Sequence, residues 1–182
     1  LALDPNGTFI NAWKIANCTS NDFGQRIIFD EYDFMYVYGT WSNLITFGNG
    51  TYSMTAPSTN ANDNFLMKSD IYGNVLWAER VGIFIDGFSN VVTSEITYDP
   101  VNGLLLGGYF STPFDFDPSP TGNTTLTPQG GDAYLLNLDP NGHFKTVYSY
   151  SSAGSDLMYA LATTESGNIY CGGVFRFSVD FD

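Results

Sequence analysis

"GGYFSTPFDFDPSP" occupies residues 107–120, and "GGVFRFSVDFD" spans residues 172–182. Both phrases open on a glycine pair and reach Asp-Phe-Asp at the same spacing. A third version lies upstream as "GTWSNLITFGNG", residues 39–50. Aligning Gly39, Gly108 and Gly173 also aligns Phe47, Phe116 and Phe181, and Val37, Leu106 and Cys171. A second phrase recurs as "LALDPNGTF" from residue 1, "LMKSDIYGNV" from 66 and "LLNLDPNGHF" from 135. It aligns Asp4, Asp70 and Asp139, with Gly7, Gly73 and Gly142. The offsets are 66 and 69 for this phrase and 69 and 65 for the glycine phrase. Two independent markers therefore give one repeat of 65–69 residues.

One repeat reads as four strands, a to d. In the unit 88–153, "NVVTSEITYD" is β-branched and ends in the turn "DPVNG". "LLLGGYFSTPFDF" follows, apolar and aromatic. A polar stretch rich in Pro, Gly and Thr, residues 117–131, leads to the apolar run "DAYLLNLD". "PNG" then turns the chain into the alternating "HFKTVYSYS". "DPNG" has a turn mechanism, since Pro presets φ and Gly supplies the positive φ after it. No window sustains a helical period, so the expected fold class is all-β.

Four antiparallel strands per repeat is the pattern of a β-propeller blade. The period exceeds the roughly 40–50 residues of WD40 or kelch repeats. The long b–c connection accounts for the excess. "GNVLWAERVG", "GGYFSTPFDFDPSP", "GGDAYLLNLDPNGHF" and "SGNIYCGGVFRFSVDFD" together resemble the bacterial seven-bladed β-propeller repeat family, the SBBP type. The resemblance covers almost the whole chain in register and is degenerate in letters. It departs most over residues 30–60, where "ITFGNG" replaces "FDFDPSP". It implies a propeller fold, a secreted setting and non-catalytic roles, and it carries no active site.

The expected organisation is a propeller-like array, incomplete at both ends. Residues 1–20 form a half-blade of strands c and d, 21–87 and 88–153 are full blades, and 154–182 are strands a and b of another. Three blades' worth of strands is fewer than the roughly 4–8 of a closed propeller. The C-terminal half-blade is therefore expected to pair outside Leu1–Ala16 of its own chain. Its partner would be a neighbouring copy or a continuation of the polypeptide, because open sheet edges pair readily.

Composition points to an extracellular, cell-surface setting. Among 182 residues there are 15 Phe and 12 Tyr, and acidic residues outnumber basic ones 19 to 6. A net charge of −13 argues against nucleic acid or an anionic membrane as partner. No run of about 18 apolar residues suggests membrane insertion. Four sequons, at Asn6, Asn17, Asn49 and Asn123, are candidate glycosylation sites.

The residues that carry chemistry each have a structural reading as well. Asp115 and Asp117, like Asp180 and Asp182, sit two apart at the end of strand b, where alternate residues share a face. They are weak calcium candidates and read first as solvated strand ends; no other cofactor is implied. Asp63 and Asp132 open strand c and are expected to cap the b–c turn. Trp13, Trp41 and Trp77 are core or interface candidates, Trp41 also a candidate sugar-stacking platform. Cys171 reads as a small buried hydrophobe in strand b, and Cys18 as unbridged to it. The single His143 reads as a hairpin residue. One histidine supports neither a catalytic triad nor a multi-histidine zinc site.

The functional expectation is a non-enzymatic extracellular structural or adhesive β-propeller repeat protein, such as a subunit of a surface filament. The alternative is a carbohydrate- or ligand-binding propeller module. A propeller-based hydrolase ranks third, for want of a convergent acidic pair.

Overall fold

The computed structural model describes residues 1–19, 23–56, 63–84, 91–117, 119, 121–179 and 181. Among them every regular element is a strand, apart from one 3-10 turn at Gly48–Gly50. Strands β1 (Ala2–Leu3) and β2 (Phe9–Asn11) form a hairpin. The next repeat runs through β3 (Ala16–Cys18), β4 (Phe23–Phe29), β5 (Met35–Trp41), β6 (Leu44–Phe47), β7 (Tyr52–Thr55), β8 (Asp63–Ser69) and β9 (Val75–Arg80). The third runs through β10 (Ile83–Phe84), β11 (Val91–Asp99), β12 (Gly103–Phe110), β13 (Phe114–Asp115), β14 (Thr125–Leu126), β15 (Asp132–Leu138) and β16 (Phe144–Tyr150). A last hairpin pairs β17 (Leu157–Thr163) with β18 (Ile169–Val174).

The two full repeats each build a four-stranded antiparallel meander, β4-β5-β8-β9 and β11-β12-β15-β16. Gly39 lies between Gly24 and Phe65, and Gly108 between Thr93 and Tyr134, so the sequence alignment is the structural register. The long b–c connection is more ordered than its composition suggested. It folds into the hairpins β6–β7 and β13–β14, each of which adds the linker strand β3 or β10 as a third member. The connection thus clamps the segment arriving from the preceding sheet. Phe47 and Phe116 lie at matching places in these small sheets and are buried.

The aligned glycines have a steric cause. Strand a carries a bulge at the same place three times, between Gly24 and Arg26, Thr93 and Glu95, and Met158 and Ala160. The bulge twists strand a onto strand b. A Cβ at Gly39, Gly108 or Gly173 would overlap the carbonyl oxygen of Phe23, Val92 or Leu157 respectively. Only glycine admits that approach.

Hairpin turns reuse one design. Asp4, Asp30, Asp70 and Asp139 each accept, at Oδ1, the N–H groups two and four residues on. The fourth residue of each turn, Gly7, Asp33, Gly73 or Gly142, takes positive φ and returns its N–H to the aspartate carbonyl. Thr164 opens the last hairpin in the same backbone geometry.

The sheets stack face to face in chain order. One face of the β4-β5-β8-β9 sheet, with Val37, Trp41, Phe65 and Met67, packs with Trp13 and Ile15 from the segment after β2. Its other face, with Tyr36, Tyr38 and Leu66, meets Ile96, Leu104, Leu106 and Leu136 of the next sheet. That sheet's far face, with Leu105, Ala133 and Leu135, meets Met158 and Leu161 of the last hairpin. Inner strands are covered on both faces, which is why "MYVYGTW" and "DAYLLNL" read as continuous apolar runs rather than alternating ones. Successive sheets also lock through a tryptophan. Trp13 lies against the turn glycine Gly73, and Trp77 lies 3.0 Å from the Cβ position of Gly142.

One burial expectation is corrected here. Val37 and Leu106 are buried, but their aligned partner Cys171 is exposed. Among the described residues, strand β18 has β17 on one side and no strand on the other. The same residue position is therefore core in β5 and β12 and surface in β18.

Candidate functional site

Asp4, Asp30, Asp70 and Asp139 are committed to turns. Their hydrogen bonds hold the carboxyls below the ordinary carboxylate range, the Thr8 N–H first at Asp4 and the Asn74 amide first at Asp70. At Asp30 and Asp139 partial burial pulls upward and is outweighed, by the Phe34 N–H and Lys68 at Asp30 and by His143 at Asp139. His143 is exposed, with Nδ1 3.1 Å from Asp139 Oδ2, and occupies the hairpin position expected of it.

The calcium candidates separate. Asp115 and Asp117 belong to the clamp hairpin. Asp115 Oδ1 accepts N–H groups from Asp117 and Thr124, and Asp117 Oδ1 accepts that of Ser119. Asp115 is buried, so the solvated strand end expected there is corrected: its carboxylate closes the loop from inside. Asp180 and Asp182 lie outside the described residues. Trp41 takes the core place that was its first reading, and its second reading as a sugar platform falls. Its ring is fully buried, 6.3 Å from the Phe65 ring, with the Arg80 guanidinium 5.7 Å away. The clamp hairpin covers the strand end on which it sits, so it offers no face to a sugar. The sequon residues Asn6, Asn17, Asn49 and Asn123 are all exposed. Cys18 and Cys171 are free thiols.

Between the sheets lie polar groups that the sequence reading did not single out. Lys68 Nζ donates to Asp30 Oδ2 at 3.1 Å and to the Tyr36 hydroxyl at 2.6 Å, beneath the Phe34 ring. Tyr36 in turn stacks on Tyr98 of the next sheet at 5.9 Å and donates to the Pro140 carbonyl at 3.3 Å. The lysine is thus spent within its own sheet, on the tyrosine that makes the inter-sheet tie. Arg26 adds a second, donating to the Ser94 carbonyl at the neighbouring bulge, at 2.9 Å.

The two aspartates that open strand c have different environments. Asp63 is 1% exposed and pairs with Arg80 at 2.8 Å. Burial pushes its carboxyl up to about 6, with Arg80 and the Asn64 N–H offsetting part of that. Asp132 is 2% exposed and its Oδ2 accepts the Gln129 N–H at 3.3 Å, a partial form of the expected turn cap. Its other oxygen, Oδ1, is buried without a hydrogen-bond partner. Burial first, and the charge of Asp156 as well, raise its carboxyl above the usual range. Asp156 itself is fully buried. Its Oδ1 accepts the Arg176 N–H at 2.7 Å, and its Oδ2 has no partner.

A cleft of about 430 Å³ opens beside β1, lined by Leu3, Trp13, Ile27, Phe29, Met35 and Ile71 among others. Its walls are apolar side chains, without the converging polar groups that orient a sugar. No family model matches the chain, and no curated protein or solved structure matches it.

Proposed function

We propose that the chain is a non-enzymatic extracellular structural or adhesive β-propeller repeat protein, its stacked four-stranded sheets serving as blades of the SBBP type. The observation that carries this reading is the threefold recurrence of one structural kit: bulge, glycine contact and aspartate turn. Many of the residues that could carry chemistry are taken up by that kit. Aspartates hold turns, and the half-buried Lys68 holds Asp30 and Tyr36 within one sheet. Four exposed sequon asparagines and the charge of −13 suit a secreted surface protein.

Strand β18 presents the edge that β8 covers in one full sheet and β15 covers in the next, and β1, a strand of the c type, presents the matching edge. Extending the observed register puts Cys171 opposite the position of Leu1 and Ile169 opposite that of Leu3. In this account β18 pairs with a strand of the c type, from a neighbouring copy or from a continuation of the polypeptide, and copies that pair head to tail give a ring or a filament according to whether the rotation closes. Electron microscopy of the purified chain tests it. Rings or filaments are expected, with no binding on a glycan array. Uniform single-chain particles at every concentration, or saturable binding of one glycan class, would contradict it.

A further inference from the structure

We propose that the seam between the β11-β12-β15-β16 sheet and the last hairpin holds a hard divalent cation, calcium by class, bound by Asp132 and Asp156. The inference goes beyond the structural role proposed above and does not depend on how copies assemble. It starts from a difference between two aligned positions. Asp63 and Asp132 open strand c in the same register, opposite Trp41 and Phe110. In the first sheet the carboxylate has an internal cation, Arg80, whose backbone lies opposite Phe65. In the second sheet the residue in the Arg80 position is Ser149, opposite Tyr134. The counter-charge has been removed and the carboxylate kept.

A second carboxylate has also been brought in. Asp156 N donates to the Gly131 carbonyl at 2.6 Å, and Gly131 and Ser155 form a parallel bridge, so Asp156 runs beside the start of β15. Neither aspartate has an ion pair among the described residues. Arg176 serves Asp156 with its backbone N–H, and its side chain is exposed. Two buried carboxylates without a cation are costly, because each is desolvated and they repel. The seam retains one unpartnered oxygen on each, Asp132 Oδ1 and Asp156 Oδ2, and a third buried orphan oxygen, Thr112 Oγ1, lies two residues beyond the Phe110 that pairs with Asp132. Carboxylate and hydroxyl oxygens with water completing the shell are calcium chemistry. An ion there does for the second seam what Arg80 does within the first sheet.

The test is thermal unfolding of the EDTA-treated full chain at pH 7.5 in a fixed potassium chloride background, with and without calcium chloride. Saturating calcium should raise Tm by roughly 5–10 °C, and calorimetric titration should count one ion per chain. Asp156→Asn should lose the response. Ser149→Arg should lose it too, because it restores the internal cation of the first sheet. Ser149 is exposed, so this variant keeps the test readable if Asp156→Asn does not fold. Asp117→Asn should keep the response. No shift in the parent chain, an equal shift with extra potassium chloride at matched ionic strength, or a calcium shift that survives Ser149→Arg would each overturn the proposal.

Discussion

At Gly108 a single hydrogen decides whether two strands can meet. The bulged strand β11 presses the Val92 carbonyl onto the Gly108 Cα, and Phe23 and Leu157 do the same at Gly39 and Gly173. Gly108→Ala must push strand a away from strand b inside a sheet covered on both faces. Overpacking of that kind costs about 1–3 kcal/mol or more. Gly172→Ala is the matched control, because its Cβ would meet only the Ala160 side chain at 3.6 Å. Chemical denaturation should show the first variant destabilised by about 2 kcal/mol or more and the second close to the parent. Equal midpoints for the two would remove the bulge contact from the account. These glycines were legible in the sequence as a repeat, but their cause was not. Their φ values are ordinary, and the contact exists only once strand a is bulged beside them.

Strand b shows why an element's letters do not fix its environment. β5, β12 and β18 share a register, and the first two are flanked by strands a and c while β18 has strand a alone. Leu106→Asp would bury an unpaired charge between two sheets and cost several kcal/mol. In the unassembled chain Cys171→Asp, at the aligned position, should cost under about 1 kcal/mol, because its side chain is exposed there. Comparable losses of Tm in both variants would mean that β18 is as enclosed as β12. The same dependence on neighbours explains Trp41. Read first as a core or interface residue and second as an exposed platform, it is held in the core beneath the clamp hairpin β6–β7. The two clamp hairpins were not read as such, since β7 and β14 fall in the stretches read as polar connections and the clamp strands are only 2–4 residues long, too short for a period to register.

For the whole molecule, the repeat length, the four long strands of each full repeat and the turns at Asp4, Asp70 and Asp139 were legible, since each left a phrase at a fixed offset, whereas the short clamp strands were not. The long-range polar contacts were not legible either. Asp30 meets Lys68 across 38 residues, and Tyr36 meets Pro140 across 104. Asp156 gains its role only by lying beside Gly131. Contacts of that range leave no local pattern. The central claim is that the two full repeats are one unit built twice, in one register. Backbone cross-strand NOEs in the isotopically labelled chain test it directly. The account predicts contacts from Gly39 to both Gly24 and Phe65, and from Gly108 to both Thr93 and Tyr134. Contacts shifted by one residue in either sheet, or a Gly108 without two flanking strands, would contradict it.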